Sequence, residues 1–436
     1  MSDSSKDLFS SKWGFILAAA GSAIGMGNIW LFPYRAAELN GAAFLTAYII
    51  CTVILGLVGI TGEIALGRLT GKGPVGAFKK AFRFIGINNK AGEVIGWLPV
   101  IVIFILTLAY TVTVAWVLRF LAGSFTGKAF VCDSSSYFES ITGNGIALWI
   151  FLTLLITSLT MAGGVKKGIE KVNKFMMPAF FILFILLVIR VAFLPRAIEG
   201  YKFMFTLKFN TLLNAKLWIL ALGQAFYSLS IMGSILIVYG SYARKSEDII
   251  YSAKSVAVLS TLASVFACLA IIPAIFSFGK GLNCYGPSLM FISVPDIFKT
   301  MPLGRLCMIA FFIAVFFAAI TSLISIIEVI VESLQNKFKL SRSNAVLAST
   351  ATAAVFSIFA DGHIDKIMDI LEIHLIPLCA LTTAIFIFWI VPSKRVIREI
   401  QTGHPGPISK WIIPSGRYIF CGLVTLIYIF NLLHLG

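Results

Sequence analysis

Eleven apolar stretches of roughly 20 residues run the length of this 436-residue chain, and each is long enough to cross a hydrocarbon core of about 30 Å as a helix. They span Trp13 to Glu38, Ala42 to Arg68, Ala91 to Ala122, Gly145 to Ala162, Asn173 to Phe193, Leu217 to Tyr242, Ile249 to Phe278, Gly304 to Leu334, Ala345 to Phe359, Lys366 to Val391 and Arg417 to Leu435. In lipid every backbone polar group must be satisfied inside its own segment, so a chain of this kind folds as an all-α bundle. Hydrophobic residues make up 59% and charged residues 12%, too little polar surface to solvate a globule of this size.

The formal charge of +16 does not mark a nucleic-acid binder, because the lysines and arginines lie in short loops rather than in a stripe with interleaved aromatics. Lys72, Lys79, Lys80, Arg83, Lys166, Lys167, Lys171, Lys174, Arg244, Lys245, Lys337, Lys339, Arg342, Lys394, Arg395 and Arg398 fall in alternate loops. By the positive-inside rule these loops and the N-terminus are cytoplasmic, and an odd number of crossings leaves the C-terminus outside the cell (inner) membrane. The leader is acidic and serine-rich with no convincing cleavage site, so the first crossing is expected to be retained. Five of the seven cysteines lie in apolar runs; Cys132 and Cys284 sit in external loops, where a bridge and two free thiols are both open readings.

Two crossings are interrupted. Gly21-Ser-Ala-Ile-Gly-Met-Gly-Asn28 places three glycines halfway along the first, and Ser228, Ser230, Gly233 and Ser234 gather at the middle of the sixth. A broken helix in lipid frees carbonyls, which is tolerated where they line a cavity or bind something. Gly21 and Gly25 also form a GxxxG pair that would suit close helix packing, so both readings stand for that segment alone. Helices one and six hold matching positions in two five-helix halves, which is where inverted-repeat transporters place their discontinuous helices and their midplane sites. Thr321, Ser322 and Ser325 in the eighth crossing could supply oxygen ligands, or bond their own helix. Gly71-Lys-Gly-Pro-Val-Gly76 matches a dinucleotide fingerprint in letters only, since it follows a membrane helix.

From Trp13 to Tyr34, and again at Asn40-Gly-Ala-Ala-Phe44, Gly168 to Pro178, Gly223 to Ser230, Phe317 to Ser322 and Lys339-Leu-Ser-Arg342, the chain resembles the neurotransmitter:sodium symporter family in its bacterial, LeuT-like branch. The resemblance covers nearly the whole chain. It implies a LeuT-type fold of two inverted five-helix repeats plus one helix, divided as residues 1–12, 13–195, 196–392 and 393–436, and alternating access driven by Na+. A second sodium site would take carbonyls of Gly21, Ile24 and Ala318 and hydroxyls of Thr321 and Ser322. A first site would take Ala23, Asn28, Ser228 and Ser260, the last standing where the family has a longer asparagine. Tyr48, Gln224, Ser228 and Ser264 resemble a chloride site, with a serine bonded to its own helix as the equal alternative.

The same resemblance implies substrate contacts at Ala23, Gly25, Gly27, Leu106, Tyr110, Tyr227, Ser228, Ser230, Met232, Gly233, Ser322 and Ile326. Gly25 occupies the place of an aspartate in amine-transporting relatives, so a small neutral amino acid carrying its own carboxylate fits best. The outer gate is expected at Arg35, Tyr227 and Asp369, with Leu31 where the family has arginine; the inner gate at Lys6, Ser241 and Tyr242, with Asn336 where it has aspartate. Glu63 is expected to brace the broken helices. The reading is sodium-coupled symport, with Cl− as a further ion. An uncoupled or differently coupled transporter, or a substrate sensor on the same fold, is the alternative, and the sequence leaves monomer or dimer open. His363, His374, His404 and His434 have no metal-ligand spacing and no catalytic triad is visible, which argues against an enzyme and against any metal beyond sodium.

Overall fold

The computed structural model describes residues 7–143, 145–278 and 287–433. Lys6 of the expected inner gate and Cys284 lie outside the described residues. Eight of the described helices are long and apolar enough to cross a membrane unbroken: Gly41–Thr70, Asn89–Thr126, Val165–Ala192, Ile249–Ser277, Gly304–Phe338, Arg342–Ala360, Ile364–Ile390 and Ile412–Leu432. The other three apolar runs fall on the 17-residue helix Ile146–Ala162 and on two interrupted segments.

The bundle has an inside and an outside. Asn89–Thr126 and Gly304–Phe338 pack against each other, and 78% of the apolar window of each is buried. Val165–Ala192 buries only 28% of its window and turns Phe175, Ile182, Leu186 and Phe193 outward. An apolar outer surface this extensive has its natural partner in lipid tails.

The first segment is two helices, Lys12–Ala23 and Gly27–Glu38, bent by 62°. The helix ends where Ile24 turns extended (φ −86°, ψ 96°). The chain resumes as a wide π-turn, Gly27–Leu31, ahead of Pro33, which has no N–H to give a regular turn. The sixth segment breaks between Ala215–Ser228 and Ile235–Ser241. Within that break Ser230 (φ +52°) and Gly233 (φ +72°) both adopt left-handed backbone. Gly233 has no alternative, since a Cβ there would lie 2.1 Å from Thr383 Oγ1.

The loops assigned to the cytoplasm by charge do meet on one face. Asp7 accepts from Val165 N (2.6 Å), and Glu170 accepts from Ser10 and Ser11. Arg68 and Lys245 both pair with Glu399 (2.7 and 2.6 Å), and Glu93 joins Lys79 to Lys337. The opposite face has its own ties, Lys299 to Cys132 and Ser134 and Arg305 to Phe125, so the broken segments lie between two stapled ends.

Candidate functional site: two broken helices around a central cavity

The bend at Ile24 leaves carbonyls of the first helix without helical partners, and three side chains reach them. Thr321 Oγ1 donates to Gly21 O (3.2 Å) and Ser322 Oγ donates to Gly21 O (3.0 Å) and Ile24 O (3.1 Å). Thr321 Oγ1 also lies 3.1 Å from Ala318 O. All five residues expected at the second sodium site therefore converge, buried, at one point between the first and eighth helices. Ser230 Oγ donates to Ser22 O (2.7 Å), tying one break to the other.

Glu63 does what an acid embedded in an apolar helix must do to stay: its Oε1 accepts from Gly233 N at 2.8 Å and satisfies the broken sixth helix. That bond and the packing against Thr383 give Gly233 a backbone role. Gly233 is not among the residues that line the cavity between the breaks.

The cavity between the breaks has a volume of about 30 Å³, room for about two waters. Ala23, Gly25, Leu106, Tyr110, Tyr227, Ser230, Met232, Ser322 and Ile326 line it, and Ser22, Met26, Asn28 and Ile235 complete it. Tyr110 OH accepts from Met26 N (3.4 Å), the amide end of the second half-helix, and a Cβ on Gly25 would approach that hydroxyl to 2.9 Å. The Tyr227 ring lies over Gly27, whose missing Cβ would fall 2.3 Å from it.

Beside the cavity lies a buried polar cluster. Asn28 Oδ1 accepts from Gly25 N (3.2 Å), while Nδ2 donates to Ser260 Oγ (3.2 Å) and Ser264 Oγ (2.9 Å). Three of the expected first-site residues are together, Ser260 Oγ donating to Ser228 O (2.6 Å), but Asn28 turns its nitrogen, not its oxygen, toward Ser260. Tyr48 OH lies 2.8 Å from Ser228 Oγ, which places Ser228 in this cluster and off the cavity wall. Gln224 Nε2 donates to Gly27 O (3.3 Å).

Above Tyr227 a cavity of about 310 Å³ opens, lined by Leu31, Arg35, Tyr227 and Glu372 among others. Arg35 Nη1 donates to Gln224 Oε1 (3.1 Å), and the carboxylate sharing its cavity is Glu372, not Asp369, which is exposed on the preceding turn. The wide turn Leu371–Leu375, forced by Pro377, carries Glu372 to that wall. On the stapled opposite face Tyr242 OH donates to Glu328 Oε1 (2.8 Å), and Arg342 binds both Glu328 oxygens at 2.9 Å. Ser241, next to Tyr242 in the chain, is buried. Glu328 has no exposed surface, and the sequence analysis did not single it out. Its signal was there, an acid inside the apolar run Ile326-Ile327-Glu328-Val329.

The model of the sodium:neurotransmitter symporter family matches residues 6–143 and 135–435. This chain belongs to the sodium:neurotransmitter symporter family. A sodium-dependent transporter of Bacillus subtilis, YhdH, is 34% identical over 424 residues, 92% of each chain. The sodium-dependent neutral amino acid transporter B(0)AT3 of Mus musculus is 31% identical over 307 residues, 63% of this chain and 48% of its own length. The crystal structure of MhsT in complex with L-phenylalanine superposes with a TM-score of 0.86 at 32% identity, covering 97% of this chain and 99% of MhsT. The fold is thus the LeuT-type helical fold, and the chain is a multi-pass membrane transporter rather than an enzyme.

Proposed function

We propose that the protein carries a small neutral amino acid into the cell together with sodium, by alternating access. The observation that carries this reading is the cavity wall: a half-helix amide end and Tyr110 OH meet there, and no Asp, Glu, Lys, Arg or His lines it among the described residues. The amide end and the hydroxyl suit a carboxylate, and the freed carbonyls suit an ammonium. With no charged group, the wall of Leu106, Met232, Ile235 and Ile326 favours an uncharged side chain.

Sodium sits at the second site, on Gly21, Ile24, Ala318, Thr321 and Ser322. The first site needs the Asn28 amide to turn, which supports one sodium before two. Chloride belongs with Tyr48, Gln224, Ser228 and Ser264, four buried residues that offer three hydroxyls and one amide and no carboxylate. Tyr227 closes the path from the larger cavity, and Arg342, Glu328 and Tyr242 close the other side. The site opens to one side of the membrane and then to the other about the two breaks, with the N-terminus cytoplasmic and the C-terminus outside the cell membrane.

Binding of labelled compounds to purified protein tests the substrate class. Neutral amino acids are expected to bind in sodium chloride and not in potassium chloride, and amines without a carboxylate to fail in both. Replacing chloride by gluconate reads the anion site. Binding of a carboxylate-free amine as tightly as any amino acid would overturn the proposal.

A further inference from the structure

Asn173 presents an unexplained buried oxygen. It lies on Val165–Ala192, the fifth membrane helix, and its side chain is fully buried. Nδ2 donates to Ile169 O at 2.9 Å, one turn back on its own helix. Oδ1 has no hydrogen-bond partner among the described residues. Exchanging the two ends of the amide would not help, because it would press Oδ1 against the Ile169 carbonyl, acceptor against acceptor. A buried acceptor without a donor loses its hydration and recovers nothing, and such an atom calls for a water or an ion.

The direction of this oxygen is informative. A Cβ on Gly21 would lie 2.1 Å from Asn173 Oδ1 and 3.3 Å from Thr321 Cβ. The orphan oxygen therefore lies against the side of Gly21 that faces Thr321. Gly21 is the residue whose carbonyl already receives both Thr321 and Ser322. A glycine at position 21 is what lets the amide oxygen approach at all.

We propose that Asn173 is a further ligand of the cation at the second site. Its Oδ1 supplies an oxygen from the fifth helix, directly or through one bridging water, to a shell otherwise built from the first and eighth helices. A neutral amide oxygen is a suitable donor for a hard monovalent cation, as backbone and Asn carbonyls are for harder ones. The inference rests on the second-site reading above and adds a residue from an element that reading does not use.

Titration of thermal stability with sodium chloride, at ionic strength held constant with choline, tests it on the full-length protein. The unmodified chain is compared with Asn173→Leu, Asn173→Asp and the pair Thr321→Ala with Ser322→Ala. Asn173→Leu is expected to raise the half-saturating sodium concentration about five- to tenfold and Asn173→Asp, which adds a carboxylate, to lower it by about as much. Melting in choline alone shows whether each variant is folded. Should Asn173→Leu not fold, the isosteric Asn173→Asp decides by itself. Unchanged half-saturation in the Asn173 variants, with the Thr321/Ser322 pair losing its response, would reduce Asn173 to packing and leave the second site standing. An unchanged response in the Thr321/Ser322 pair would overturn the second-site reading itself.

Discussion

A chain carrying both Thr321→Ala and Ser322→Ala is expected to lose its response to sodium, with half-saturation displaced by about 100-fold or more. Those two hydroxyls now donate to Gly21 O and Ile24 O. When a cation takes the point between them, each can rotate its proton away and offer a lone pair, because a hydroxyl is donor and acceptor at once. Alanine leaves only the three carbonyls, and two lost ligands at about tenfold each give the stated displacement. The substitutions remove two small buried hydroxyls, of which Thr321 also bonds its own helix at Phe317 O, and the fold in choline should survive. A sodium titration of the double variant identical to that of the parent would remove the second site from the account.

The second large effect is expected at the opposite closure. Arg342→Ala strands Glu328, which has no exposed surface, with Tyr242 as its remaining hydrogen-bond partner among the described residues. Removing one member of a buried ion pair costs about 3–5 kcal/mol, mostly for the uncompensated charge left behind. The corresponding loss should appear in denaturant unfolding in micelles. Adding Glu328→Gln to Arg342→Ala should restore at least half of it, since the stranded charge is then gone. A cost within about 1 kcal/mol for Arg342→Ala would place the pair in water rather than in the packed interior assigned to it.

Much of this architecture was legible because lipid makes irregular backbone expensive. Gly21 to Asn28 and Ser228 to Ser234 could be read as breaks since so many small residues at mid-depth have few other uses. Thr321 and Ser322 were ambiguous alone; they became a site only when the bend at Ile24 aimed free carbonyls at them. Glu63 was legible for the same reason as the breaks, an acid in lipid needing a partner.

What stayed hidden depends on phase and on rotation about single bonds. Asp369 and Glu372 lie one turn apart, and the wide turn before Pro377 brings Glu372 to the wall that Arg35 shares. Which end of the Asn28 amide faces Ser260 follows from the Gly25 N–H, a backbone direction that residue types do not encode. The left-handed backbone of Gly233 and its bond to Glu63 depend on the path of the break, which residue type alone does not encode. Glu328 was overlooked because its partner Arg342 stands 14 residues away, beyond a helix end.

The most direct test of the whole account is uptake of a labelled neutral amino acid into liposomes holding the purified protein, with an imposed sodium gradient and no other driving force. Inward sodium should concentrate the amino acid inside above the external level, and collapsing the gradient should release it. Equal uptake with potassium in place of sodium, or equilibration without concentration, would contradict it.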